Sequence, residues 1–225
     1  MIAMAGVLVS GFFCAAMAHA IGGTDAAFVA KTVGPDPFPF LYLGAKHMVT
    51  GYDHLLFLVG VIFFLYRFKD IALYVTMFSI GHSITLLAGV LFKLHVDAHL
   101  VDAVIGFSVL YKAFDNLGGV KTVFGVQPDN RPIVLGFGLV HGFGLATKLQ
   151  ALNLNPHGLI TNLISFNVGV EIGQIIALSL ILMSMTVWRK TPLFDRTAAG
   201  ANVLIMVAGS VFMIHQLAGY FLGAV

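Results

Sequence analysis

Five histidines and two carboxylates stand where ordinary sequence logic would place neither. His47, Asp53, His54, His82, His141, Glu171 and His215 each fall inside a long apolar run, and Glu171 is the only glutamate in the chain. Charge in hydrocarbon costs several kcal/mol per group, so such residues mark function when they occur. Imidazole nitrogen and carboxylate oxygen are the donors of a divalent transition-metal site. Cys14 is the single cysteine, which leaves a metal only nitrogen and oxygen ligands and rules out an internal disulfide.

Spacing sharpens the reading. His47 and His54 are seven apart, on one face of a helix two turns apart, with Gly51 leaving room between them. Counted from the ends of their runs at 1.5 Å per residue, His54, His82, His141 and Glu171 all come out near the bilayer midplane. We therefore take His47, Asp53, His54, His82, His141 and Glu171 as candidate metal ligands. Asp53 can also serve as a partner of a histidine or of Lys46. Asn167, Glu171 and Gln174 form a polar stripe at helical spacing, and Ser83 adjoins His82. These, with His215 and Asp102, are candidates for supporting the ligands or lining a path. The ion can be nickel, zinc, copper, cobalt or iron, and the number of donors allows one ion or two. The competing reading is a hydrogen-bonded network between helices with no ion.

The elements that carry these residues are transmembrane. The chain has 225 residues, 59% hydrophobic and 10% charged, too few charges to cover a soluble surface. We read an all-α, polytopic membrane bundle with six spans at about 41–66, 70–92, 97–115, 132–152, 158–188 and 197–222. A polar stretch ending at Pro39 precedes them, and 116–131 reads as a loop. Residues 1–20 end in Ala18-His19-Ala20 and read as a signal peptide, or as a seventh helix if retained; residues 21–225 form one domain. Gly138/Gly142 and Gly169/Gly173 flank His141 and Glu171 as close-packing pairs. Phe57, Phe63, Phe64, Tyr66 and Phe68 read as lipid-facing or interfacial.

Arg67, Lys69, Lys112, Lys121, Arg131, Arg189, Lys190 and Arg196 gather at one set of helix ends. Lys31, Lys93 and Lys148 occupy the other. The first set is expected to be cytoplasmic, which puts the mature N-terminus in the periplasm of a bacterial inner membrane. A net charge of +2 gives no reason to expect nucleic acid. Walker, G-x-S-x-G and H-E-x-x-H patterns are missing from the sequence, so no nucleotide partner is expected. Bilayer and metal ion are the expected partners.

At these residues the chain resembles the HupE/UreJ family. The resemblance rests on His47-Met-Val-Thr-Gly-Tyr-Asp53-His54, Phe78-Ser-Ile-Gly-His82-Ser-Ile-Thr85, Gly138-Leu-Val-His141-Gly-Phe-Gly144 and Phe166-Asn167-Val-Gly-Val-Glu171-Ile-Gly-Gln174. It implies a nickel or cobalt permease, with His47, Asp53 and His54 as functional residues. An intramembrane metalloenzyme is the alternative: a zinc-dependent lipid hydrolase or a dinuclear metal enzyme in which the same ligands activate water.

Overall fold

Low charge and long apolar runs leave the backbone one way to satisfy its polar groups in lipid, and the chain takes it. The structure, a computed structural model, describes residues 23–152 and 154–223. The expected signal peptide or extra helix of residues 1–20 lies outside the described residues. Among the described residues all regular structure is helical: α1 (Gly23–Lys31), α2 (Pro37–Thr50), α3 (Tyr52–Ile62), α4 (Phe68–Leu91), α5 (Ala98–Asn116), α6 (Gly119–Phe124), α7 (Asn130–Gln150), α8 (Leu159–Arg189) and α9 (Pro192–Leu222).

α4, α7, α8 and α9 are long and apolar enough to cross a bilayer. α5 has 19 residues but carries Asp102, Lys112 and Asp115. Those charges are neutralised in pairs, Lys112 with Asp115 at 2.5 Å and Asp102 with Lys148 of α7 at 3.1 Å. The span expected over 41–66 is two helices, broken at Gly51, whose ψ of 96° is extended. The polar stretch before it holds α1, tied to α2 by an Asp25–Lys46 ion pair of 2.6 Å and by Phe28 against Phe40. The 116–131 loop holds α6.

Three helix pairs make the bundle: α4 with α7, α2 with α8, and α5 with α9. Glycine is what lets each pair close. A Cβ on Gly138 would overlap the carbonyl of Phe78, and one on Gly142 the carbonyl of His82. A Cβ on Gly169 would strike Leu41, and one on Gly173 would lie 2.5 Å from the Ala45 carbonyl. Both glycine pairs read from the sequence are therefore contact points. The matched positions also fix direction. In α4/α7 and α2/α8 the numbers rise together, so these pairs are parallel. In α5/α9, Gly106 meets Met213 while Gly209 meets Leu110, so this pair is antiparallel. An up-and-down chain alternating across a bilayer requires those directions.

α3 is enclosed by the rest, with His54, Phe57, Leu58 and Gly60–Ile62 buried. Its C-terminal carbonyls would be orphaned in lipid. Arg189 donates to Ile62, Phe63 and Leu65, and the Asn116 amide donates to Gly60 at 2.8 Å. Phe57 and Phe63 are 0% exposed, against the expectation that this aromatic run faces lipid. Phe64, Tyr66 and Phe68 are exposed as expected. The difference arises because a short helix surrounded on all sides has no lipid face to offer.

Candidate metal centre

The break at Gly51 creates the site. In an unbroken helix, residues seven apart are separated by about 10.5 Å along the axis. Here the His47 and His54 rings stand 5.1 Å apart, centroid to centroid, one on each side of the break. α2 holds its last turn through the Gly51 amide donating to His47 at 2.9 Å. α3 then restarts, and Asp53 Oδ1 accepts from the His54 amide at 2.7 Å. The last carbonyls of α2 and the first amides of α3 therefore meet at one break in the chain.

Two further helices complete the layer. His82 of α4 stands 5.6 Å from His54 by ring centroids, and His141 of α7 stands 5.0 Å from it. All four histidines are buried, at 7%, 2%, 1% and 1% exposure for His47, His54, His82 and His141. One ring nitrogen from each of His47, His54 and His82 falls within 4.8 Å of the other two. Ligands at about 2.1 Å from one ion are at most about 4.2 Å apart, so small side-chain rotations close the set.

Hydrogen bonds orient the rings. His141 Nδ1 lies 2.8 Å from the Phe137 carbonyl, which can only accept. The ring therefore donates there, and Nε2 carries the lone pair. His54 Nδ1 lies 2.8 Å from Asp53 Oδ1, which selects the same tautomer. A carboxylate behind a histidine is the usual support of a metal-binding imidazole, because it holds the ring and raises its basicity. Both ring nitrogens of His82 are buried with no hydrogen-bond partner among the described residues. Unsatisfied buried polar atoms are costly, and a ligand is one way to satisfy them. The donor set and this orphaned ring fit a divalent transition metal.

The parallel pair α4/α7 sets the His82–His141 geometry. Thr85 Oγ1 donates to the Leu139 carbonyl at 2.6 Å, pinning one helix to the other beside Gly142. Neutral imidazoles bring no charge to a divalent ion, and a nearby carboxylate would offset part of it. Asp53 is one. Glu171 is half-buried on α8. It lies outside the three-histidine set.

The remaining sequence candidates divide. Gln174 is a buried bridge between α8 and α4, accepting from Ser79 Oγ at 2.9 Å and donating to the Val75 carbonyl at 3.3 Å. Asn167 is buried and donates to Leu163, while its Oδ1 has no partner among the described residues. Ser83 is half-buried beside His82, about 100° around the helix from it. Asp102 is held by Lys148, and Lys46 by Asp25. His215 is half-buried on α9, whose main partner is α5, and is not in the cluster. Sequence reasoning missed the phenylalanine cluster beside the histidines. The signal for it was present: Phe lies four residues before both His82 and His141 and three after His54.

The chain matches no curated protein and no solved structure. One family profile does match it, described as HupE / UreJ protein, over residues 23–224, a stretch that contains every helix among the described residues and all four clustered histidines. The chain belongs to the HupE/UreJ family.

Proposed function

We propose that the protein is a permease for a divalent transition-metal ion, nickel- or cobalt-like. The observation that supports this most is the convergence of His47, His54 and His82 at a helix break inside a membrane bundle. Six crossings would be made by α2 with α3 as one broken span, then α4, α5, α7, α8 and α9. The basic ends would face the cytoplasm of a bacterial inner membrane, and the start of α2 the periplasm.

In this reading the ion enters from the α2 end, is taken by His47 and passes to His54 and His82, with His141 beside them. Asp53 holds the His54 ring and supplies one negative charge, and Glu171 supplies a second at the edge of the layer. Two carboxylates match the two charges of the cargo, which lowers the cost of carrying it through a low-dielectric interior. Because neutral imidazole is the binding form, protons compete with the metal.

Purified protein in proteoliposomes, given nickel outside and a metal-sensitive dye inside, tests this. The wild type is expected to carry metal inward, and His82→Ala to bind and carry none. Release of fatty acid from lipid by purified protein, lost in His82→Ala, with no metal transfer, would replace this reading with an intramembrane hydrolase. Protein with no stoichiometric metal before or after loading would remove both.

A further inference from the structure

We propose that Phe57, Phe78 and Phe137 form a hydrophobic floor that seals the histidine layer from the basic end of the bundle, a closed gate for whatever ion the layer holds. The inference rests on the metal-site reading above and adds the side from which the site is shut.

The placement follows from helix direction. α4 and α7 run from the basic end upward, so the residue four before each histidine lies one turn below it: Phe78 below His82 and Phe137 below His141. α3 runs the other way, so the residue three after its histidine, Phe57, also lies one turn below. Two F-x-x-x-H segments on parallel helices and one H-x-x-F segment on an opposed helix therefore put three phenyl rings on the same side of three imidazoles. The rings touch. Phe57 stands 5.1 Å from Phe78 and 5.7 Å from Phe137. The layer above rests on them, with His141 at 5.3 Å from Phe57 and 5.0 Å from Phe78. Phe57 and Phe78 are 0% and 1% exposed.

Beneath the floor the charged groups are already paired with one another. Tyr111 packs on Phe137 at 5.7 Å, and the next residue, Lys112, is buried against Gly60, one turn beyond Phe57. Lys112 is held there by Asp115, which Gln127 and Asn130 also bind. Toward the α2 end the neighbours are mixed: Phe166 stands 6.0 Å from His47, next in sequence to buried Asn167. An apolar constriction blocks ions by excluding the water they carry. Phe78 and Phe137 belong to one rigid pair, locked where Gly138 meets the Phe78 carbonyl. Phe57 rides on α3, behind the break at Gly51. Opening the floor therefore means moving α3 against α4/α7.

The test is sided removal of bound nickel from full-length protein in oriented membrane vesicles, using a membrane-impermeant chelator. Right-side-out and inverted vesicles expose opposite ends. Wild type is expected to lose metal to chelator at the α2 end at least about tenfold faster than at the basic end. Phe57→Ala and Phe137→Ala, with metal content retained, are expected to lose it from both. Phe137 is only half-buried, so its truncation is the milder of the two for folding. Equal stripping of wild type from both ends overturns the floor, whether or not the variants fold. So does one-sided stripping in alanine variants that still bind. One-sided stripping of wild type without net transfer across vesicles leaves the floor standing and removes the permease reading instead.

Discussion

Replacing Gly142 with alanine puts a methyl group where the His82 carbonyl and the Thr85 hydroxyl already are. Both atoms lie on the neighbouring helix, so neither can rotate away cheaply. Relief requires α7 to retreat from α4 by about 1 Å, and overpacking of this kind costs about 1–3 kcal/mol. The retreat also stretches the Thr85–Leu139 hydrogen bond, a net loss of about 1 kcal/mol. The sum is about 2–4 kcal/mol, which for a chain of this size corresponds to roughly 4–16 °C in unfolding temperature. Metal ligation tolerates displacements of only about 0.2 Å. Moving α7 by about 1 Å shifts His141 relative to His82, and the nickel Kd is expected to rise about 10–100-fold.

The control is Gly136→Ala, on the same helix, where an added Cβ meets nothing within 4 Å. It is expected to leave binding unchanged and to raise stability by about 0.5–1 kcal/mol, since glycine is the poorer helix residue. Thermal unfolding in detergent and isothermal titration with nickel measure both quantities. If Gly142→Ala behaves like Gly136→Ala in stability and affinity, the α4/α7 contact does not position the site, and the argument from glycine packing fails.

Three other outcomes are expected. Metal affinity should fall as the medium is acidified, because protons compete with the metal for the imidazole lone pairs; affinity that stays flat down to the pH at which the protein unfolds would exclude histidine ligation. Asp53→Asn keeps the side-chain shape but removes the charge behind His54, and should weaken nickel binding about 10–100-fold without a comparable loss of stability. Arg189→Ala removes the donor to three carbonyls at the end of α3 and should cost about 1–3 kcal/mol in detergent melting, with metal stoichiometry retained in the folded fraction.

Most helix positions were legible because apolar runs of bilayer length announce themselves. α4, α7 and α8 begin and end within about two residues of the boundaries read from sequence, the ordinary fraying error. α9 starts at Pro192 rather than 197, since proline is well suited to the first turn. The histidines were legible as a set because buried imidazole in lipid is conspicuous. The break at Gly51 was not: His47, Gly51 and His54 fit one continuous face, and hydropathy carries no record of a kink. Phe57 was misplaced for a related reason. Composition treats phenylalanine in a membrane helix as lipid-facing, and only the enclosure of α3 by its neighbours turns it inward. The opposite case is Asp102, whose partner Lys148 lies 46 residues away. No local pattern could reveal that pairing.

What these placements share is a division of labour between rigid and movable parts. His82 and His141 sit on a glycine-zipped pair, and His47 sits on another. The two pairs are parallel within themselves and run in opposite directions to each other, so their inner faces meet at the histidine layer. Direct packing between them is sparse, and the Gln174–Ser79 contact is one of the few side-chain links across the seam. His54 belongs to neither pair. It rides on an eleven-residue helix that follows a break at one end and is capped by Arg189 at the other. A site assembled from two fixed walls and one hinged helix can change its ligand distances without repacking either wall. Interiors this closely packed switch between discrete arrangements rather than deform smoothly. A change at the site that leaves both walls packed must therefore come from α3, the element that brings both His54 and Phe57 to the centre of the bundle.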